Sequence, residues 1–134
     1  MIVLHLEQRE LVDRRDLLNT RKLIAEIALK LGMSSMKETE LRTAATELMS
    51  NILRYAGSGA VSVEELEHSG LRGIRATFRD QGPGIADLSQ VMSKGFSTGK
   101  SLGHGLSGCK NLVDSFKIES EPGKGTCVVI TKWC

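Results

Sequence analysis

An amide and two carboxylates have the types and spacing that nucleotide chemistry needs. Glu47 and Asn51 are four residues apart in a stretch of helical periodicity, so they share one helix face. The amide oxygen of Asn51 is a ligand that Mg²⁺ accepts together with phosphates and water. Asp80 follows a predicted strand, where an ionised carboxylate can accept a hydrogen bond from the exocyclic amine of adenine. Together they predict a site for an adenine nucleotide and a divalent cation.

Glycines are concentrated next to Asp80 in the sequence. Half of the fourteen glycines lie between Gly82 and Gly108, and glycine is used where a ligand must approach the backbone closely. Gly82 and Gly84 leave room for a base against a turn that the intervening proline stiffens. A glycine-rich turn that opens a helix at Gly105 also points free N–H groups at an anion, which favours phosphate.

Two other phosphate-binding motifs compete for these glycines. Residues 95–101 resemble a P-loop, but only three residues separate the two glycines, and Lys94 stands where the first glycine belongs. Residues 103–108 fit the GxGxxG pattern of a dinucleotide-binding turn. Both motifs need a strand directly before them, and the periodicity predicts none there. The pattern therefore favours one site built jointly from residues 47–51, 80–85 and 103–108.

These stretches resemble the sequence boxes of the Bergerat-type ATPase and kinase superfamily, which includes histidine kinase catalytic domains, gyrase and anti-sigma-factor kinases. Residues 47–51 look like its N box, 80–84 and 103–106 like its two glycine boxes, and 96–98 like the lid between them. The resemblance implies an α+β fold, a two-layer sandwich whose mixed, mostly antiparallel sheet is covered by helices on one face. It also implies ATP and Mg²⁺ as cofactors.

The resemblance assigns a role to each matching residue. Glu47 would be the general base for an acceptor hydroxyl, and Asn51 the metal ligand. Thr126, in the closing segment, would support the aspartate that binds adenine. The nucleotide-binding residues would be Asn51, Asp80, Gly82, Gly84, Ile85, Ser97, Thr98, Lys100, Gly103, His104, Gly105, Leu106 and Thr126. Lys100 either neutralises γ-phosphate charge or is simply solvated, and only the backbone of His104 is expected to matter.

Nearly the whole chain is similar to the RsbT-type switch kinases of the bacterial stressosome. The matching stretches are residues 47–59, 80–85, 95–108 and 130–133. The similarity implies a serine/threonine kinase that phosphorylates STAS-domain scaffold proteins and then activates a downstream partner such as a PP2C-type phosphatase. It leaves homodimer formation open.

Two related functions compete with this one. An anti-sigma factor would sequester an RNA polymerase sigma factor and use ATP mainly as a switch. Residues 55–59 and the pair Lys132-Trp133 resemble the switch kinase more than the anti-sigma branch. A detached histidine kinase catalytic domain is disfavoured because the sequence shows no dimerisation helix with a phosphoacceptor histidine.

Hydrophobic periodicity predicts the elements that would position these residues. An opening strand at 2–6 precedes a helix at 13–31, and a second helix runs from Ser35 through Tyr55 to a stop at Gly57. The remaining predicted elements are hairpin strands at 60–66 and 74–78, a short helix at 87–93, a loop at 95–105, a helix at 105–116 and two last strands around the turn 122–125.

The composition is that of one folded domain. The chain has 134 residues, 40% hydrophobic and 25% charged, so residues 1–134 are predicted to form a single unit. The sequence predicts neither a membrane span nor a signal peptide, which favours the cytoplasm. A net charge of +2 without a basic stripe argues against nucleic acid. The three cysteines are expected to be free thiols. The basic pairs Arg14-Arg15 and Arg21-Lys22 either face solvent or dock an acidic scaffold.

Overall fold

The computed structural model of the chain describes residues 1–85 and 105–134, which form a five-stranded sheet with helices on one face. The elements are β1 (Ile2–Leu11), α1 (Arg14–Leu31), α2 (Ser35–Asn51), β2 (Gly59–His68), β3 (Leu71–Asp80), α3 (Leu106–Leu112), β4 (Ser115–Glu121) and β5 (Gly125–Trp133). The strand order is β1-β2-β3-β5-β4, and all four pairings between these strands are antiparallel. The α+β fold class is confirmed, with no parallel pair among the described strands.

Local signals set the ends of α1. The Asp13 side chain accepts a hydrogen bond from the backbone N–H of Asp16 at 3.0 Å, and the Asp16 carboxylate accepts from the backbone N–H of Asp13 at 3.4 Å. This reciprocal arrangement is a capping box, which satisfies N–H groups that the first helical turn leaves open. At the other end, Gly32 takes a left-handed φ of +80°, which glycine adopts at little cost. The predicted limits of 13–31 are confirmed.

α2 begins on a serine cap and ends in an irregular turn. The Ser34 hydroxyl accepts a hydrogen bond from the N–H of Lys37 at 3.2 Å. After Asn51 the chain winds through one π-helical turn, Ile52–Ala56, which Gly57 ends with a φ of +87°. The helical path thus reaches Gly57, as predicted. π-helical turns are rare and often lie at functional sites, and this one follows Asn51 directly.

The core lies between the helices and the sheet face that they cover. Cross-strand partners form two apolar rows in this face, and each side chain is at most 4% exposed: Val61, Phe78 and Val128, then Val63, Ala76 and Ile130. Ile24 and Leu41 close the core from α1 and α2. Removing one large side chain from such a core, as in Phe78→Ala, costs about 3–5 kcal/mol of folding free energy. The opposite face is polar, with Arg75 donating two hydrogen bonds to Glu64 at 2.8 and 3.1 Å.

A buried lysine joins β5 to two helices. Lys132 is 6% exposed, and its Nζ donates a hydrogen bond to the carbonyl oxygen of Leu112 at 2.7 Å. The same Nζ lies 3.3 Å from Glu40 Oε1 on α2. A cation is favourable at a helix C-terminus because the last carbonyl groups there lack helical partners. Lys132 therefore fixes the far end of α3 against α2.

Several predicted boundaries are wrong: the hairpin strands are longer than the predicted 60–66 and 74–78, and the limits of β1 and of the last helix differ by the most residues. β1 extends to Leu11, because its pairing with β2 continues as far as Leu11 and Gly59. The last predicted helix, 105–116, ends at Leu112 because Val113 is already extended and the N–H of Asp114 donates to the carbonyl of Thr131 at 2.9 Å. The predicted helix at 87–93 and most of the loop at 95–105 lie outside the described residues. None of the described helices has the length and apolar character needed to cross a membrane.

Candidate active site

Asp80 is the last residue of β3, on the sheet face that the helices cover. In the strand register it stands beside Thr126 of β5, which stands beside Ser120 of β4. The Asp80 carboxylate accepts a hydrogen bond through Oδ1 from the N–H of Gly82 at 2.9 Å. Its second oxygen accepts none from the described residues. The arrangement orients the carboxylate and leaves one oxygen for a donor such as an adenine amine.

Ser120 connects this strand end to the glycine-rich turn, and no motif in the sequence marks it. Its Oγ donates to the carbonyl of Gly125 at 3.0 Å and accepts from the N–H of Ile85 at 2.8 Å. It also lies 2.8 Å from Thr126 Oγ1. Because the single Ser120 proton is used on Gly125, Thr126 donates to Ser120. Only the register of the β4–β5 hairpin, with Ser120 opposite Thr126, could have pointed to this residue.

Thr126 lies beside Asp80 in the sheet, and its hydroxyl is hydrogen-bonded to Ser120. It was expected to support Asp80, and it lies beside Asp80 in the register. Its hydroxyl, however, bonds to Ser120, and no hydrogen bond from it to the Asp80 carboxylate occurs within the described ranges. We call Asp80, Ile85, Ser120 and Thr126 the strand end of the site.

The glycine-rich turn and the β4–β5 turn interlock. Gly84 has a φ of +76°, and a Cβ there would collide with the carbonyl oxygen of Glu121. Gly125 has a φ of +97°, and a Cβ there would collide with the carbonyl oxygen of Asp80. The N–H of Gly123 donates to the carbonyl of Pro83 at 2.8 Å. Both collisions involve backbone atoms, so each turn requires glycine opposite the other.

The second half of the site lies where α2 packs against α3. Glu47 is on α2, and its Oε1 is buried without a hydrogen-bond partner in the part of the chain that the structure describes. Burial raises the pKa of the adjacent Cys109 thiol to about 12, and the negative charge of Glu47 adds to the rise. Leaving a buried carboxylate oxygen without a donor is costly. Such an atom is expected where a ligand supplies the missing donor.

Asn51 lies one helical turn after Glu47, and its side chain makes no hydrogen bond with any described residue. No group of three or more His, Cys, Asp or Glu side chains in 1–85 and 105–134 could hold a metal ion. One amide oxygen near a buried carboxylate still fits Mg²⁺, which takes one or two protein ligands and completes its shell with phosphates and water. We call Glu47, Asn51 and Cys109 the helix end of the site.

A cavity of about 500 Å³ opens beside Glu47, and Asp80 is not among its described lining residues. Its described lining comes from three helices and comprises Arg21, Arg42, Thr43, Thr46, Glu47, Gly108, Cys109 and Leu112. In the sequence, Arg21 stands out only as part of a basic helix face, and Arg42 does not stand out.

Of the other residues predicted for the site, some lie within the described structure and some do not. Gly105 is the N-cap residue of α3, and Leu106 is the first residue of the helix. Gly82 follows Asp80 closely, and a Cβ on it would approach the Cβ of Ala56 to 2.6 Å. The predicted residues Ser97, Thr98, Lys100, Gly103 and His104 lie outside the described residues. Their roles stay predictions.

Comparison with known proteins identifies the family. A model of the histidine kinase-, DNA gyrase B- and HSP90-like ATPases matches residues 36–133. The chain is 40% identical over 118 residues to the serine/threonine-protein kinase RsbT of Bacillus subtilis strain 168, a match that covers 88% of this chain and 89% of that protein. The chain belongs to the RsbT-type serine/threonine-protein kinases of this ATPase family. Membership implies the use of ATP, as the sequence predicted.

Other relatives place the RsbT-type kinase in a wider group. The anti-sigma F factor of Geobacillus stearothermophilus is 29% identical over 119 residues, which cover 84% of this chain and 80% of that protein. A crystal structure of the RsbU and RsbW domains of a Mycobacterium tuberculosis protein superposes with a TM-score of 0.65 at 18% identity, over 96% of this chain and 31% of that longer one. The catalytic domain of histidine kinase ThkA gives 0.56 at 16% identity, over 95% and 97% of the two chains. Both structures share the fold.

Proposed function

We propose that the chain transfers phosphate from ATP, with Mg²⁺, to a serine or threonine of STAS-domain scaffold or antagonist proteins in the bacterial cytoplasm. On release it would activate a downstream partner such as a PP2C-type phosphatase. One observation carries the enzymatic part of the proposal. Glu47 Oε1 is buried at the α2–α3 contact without a described hydrogen-bond donor, and an acceptor hydroxyl would supply that donor.

The described residues divide the work of this reaction. Asp80 has an oxygen available for the adenine amine, and the amide oxygen of Asn51 would hold Mg²⁺. The bound ion would neutralise phosphate charge. Glu47 accepts the proton of the acceptor hydroxyl and later loses it to solvent. The hydroxyl oxygen forms a bond to the γ-phosphorus as the bond from that phosphorus to the bridging oxygen breaks, and the electron pair leaves on ADP.

The test is a labelling assay with purified components. The chain is incubated with [γ-³²P]ATP, Mg²⁺ and a panel of purified bacterial STAS-domain proteins, and phosphoserine and phosphothreonine are measured. Glu47→Gln should abolish labelling because an amide cannot take the proton. The matched control is Glu26→Gln, which removes the same charge from an exposed position on α1. Labelling that survives Glu47→Gln undiminished would sink this mechanism.

The similarity to anti-sigma F factors supports a second candidate. In that function the chain binds an RNA polymerase sigma factor, and bound ATP controls the affinity of this complex. Binding is measured by gel filtration with purified sigma factors, with ADP and with ATP. A stable complex with a sigma factor, together with no labelled STAS-domain protein in the panel, would favour this second function over the first.

A further inference from the structure

We propose that the cavity beside Glu47 is the acceptor pocket of the kinase, and that Arg21 and Arg42 bind an acidic side chain close to the phosphorylated hydroxyl. This inference rests on the proposed kinase function and adds to it a determinant of substrate choice. The occupant is a segment of the acceptor protein that presents a serine or threonine next to an aspartate or glutamate.

The position of the cavity along α2 suits an acceptor. Its lining includes Arg42, Thr46 and Glu47, whereas Asn51 and Asp80 are not among its described lining residues. From position 42 to position 51 the helix rises about 13 Å at 1.5 Å per residue. Along α2, Glu47 is therefore the residue of the cavity lining that stands nearest in sequence to Asn51, which is proposed to hold Mg²⁺ beside the nucleotide. Phosphoryl transfer needs the attacking hydroxyl and the leaving ADP on opposite sides of the phosphorus.

The charges that line the cavity suit an acidic segment. Arg21 reaches it from α1, is half-buried, and makes no ion pair or hydrogen bond with the described residues. Arg42 reaches it from α2 and donates from Nε to Glu38 Oε2 at 2.9 Å. That bond leaves its two terminal nitrogens for another acceptor. Guanidinium groups bind carboxylates through paired hydrogen bonds, so two of them beside one pocket select a carboxylate.

The size of the cavity also fits a protein segment. About 500 Å³ is within the range of pockets that bind ligands. The space beside Gly108 is open, since a Cβ built on this residue meets no other atom within 4 Å. Cys109 adds no charge to the lining, since its raised pKa keeps the thiol protonated. The pocket thus offers room, positive charge and the Glu47 carboxylate.

Removal of the guanidinium groups is the first test. Arg21→Gln and Arg42→Gln are assayed with the STAS-domain acceptor that the wild-type chain labels. Each change should raise the KM for the acceptor roughly tenfold, which corresponds to one lost ion pair of about 1.4 kcal/mol. The Kd for ATP should stay unchanged. Arg14→Gln and Lys22→Gln, which remove the same charge from exposed positions of α1 outside the cavity lining, should leave the KM for the acceptor unchanged.

A steric test does not depend on charge. Gly108→Leu should fill the cavity and raise the KM for the acceptor at least tenfold, with ATP binding retained. Gly108→Ala adds only a Cβ in open space and serves as its matched control. Thermal unfolding of each variant shows whether the fold is kept.

A charge exchange identifies the acidic partner. Each aspartate or glutamate near the labelled hydroxyl of the acceptor is changed to arginine and assayed against Arg21→Glu and Arg42→Glu. Recovery of labelling in one pair supports the proposal. Suppose that the wild-type chain labels its acceptor and that neither the arginine changes nor Gly108→Leu alter the KM for this acceptor. The cavity is then not the acceptor pocket, while the proposed kinase function is retained. If the wild-type chain labels no acceptor, the proposed function and the pocket both fall.

Discussion

The two ends of the candidate site differ in how far the protein satisfies its own polar groups. At the strand end, the Ser120 hydroxyl uses its proton and both lone pairs on protein partners. At the helix end, Glu47 Oε1 has no described hydrogen-bond donor, and the Asn51 side chain has no described hydrogen-bond partner. The complete Ser120 network holds the strand end in one arrangement and leaves only the second Asp80 oxygen for a ligand. Groups without partners gain them only when the reactants arrive, so the chemistry is expected at the helix end.

The largest effect is expected from Glu47→Gln. Loss of the general base should lower kcat for protein phosphorylation by roughly 10²–10⁴-fold. The Kd for ATP should change little, since the strand end is untouched. Rapid-quench measurement of phosphoryl transfer, with ATP binding followed by calorimetry, separates the two quantities. A large loss of ATP affinity with an unchanged kcat would place nucleotide binding, not proton transfer, at this residue.

Asp80→Asn should weaken ATP binding, whereas Glu47→Gln should slow phosphoryl transfer. The new amide oxygen can still accept the Gly82 N–H, but the charged acceptor for adenine is lost. A hydrogen bond to a charged group contributes about 1.5–3 kcal/mol, so the Kd for ATP should rise about 10–100-fold. Calorimetry measures it, and Glu119→Gln on the opposite sheet face is the control. Unchanged ATP affinity would remove Asp80 from the nucleotide site.

Ser120→Ala should affect stability more than chemistry. It leaves the N–H of Ile85 and the hydroxyl of Thr126 without their partner, which should lower the free energy of unfolding by about 1–3 kcal/mol. ATP affinity should fall only a few-fold because Asp80 keeps its own hydrogen bond. Urea unfolding checks the first effect, with Ser115→Ala in the same strand as the control. Equal stability of the two variants would show that the strand-end network contributes little.

Of the changes considered, Cys109→Ala is expected to have the smallest effect on ATP binding and phosphoryl transfer at neutral pH. Burial raises the pKa of its thiol from 9.0 to about 12, so the folded protein holds this proton more tightly than the unfolded chain does. The resulting stability is complete below pH 9 and is lost as the pH rises from about 9 to about 12. Urea unfolding across this range should show a weaker decline in Cys109→Ala. An identical decline in both proteins would contradict the burial of the thiol.

The sequence alone predicts those structural features that depend on contacts between residues close together in the chain. Asp13 and Gly32 fix α1 through contacts within a few residues, and Asp80 stands at a strand end that its periodicity marks. Ser120 could not be found in this way, because its role depends on strand register and on a turn 35 residues away. From the sequence, Arg21 could either face solvent or dock an acidic scaffold, and its place in a cavity depends on how three helices pack together.

Strand and helix ends were harder to predict for the same reason. The end of β1 is set by its neighbour β2 rather than by its own alternation. α3 ends when Asp114 joins the main chain of β5, although the apolar spacing of its sequence continues to Phe116.

The interlocked turns determine where this chain can be lengthened. Exposed glycine turns usually tolerate inserted residues, and the β2–β3 turn fits that rule, since a Cβ on Gly70 meets nothing within 4 Å. The β4–β5 turn looks similar in sequence, but its Gly123 and Gly125 hold Pro83 and the end of β3 in place. A peptide tag placed between Ser69 and Gly70 should therefore be harmless. The same tag between Pro122 and Gly123 should abolish nucleotide binding, although neither residue is proposed to contact the nucleotide.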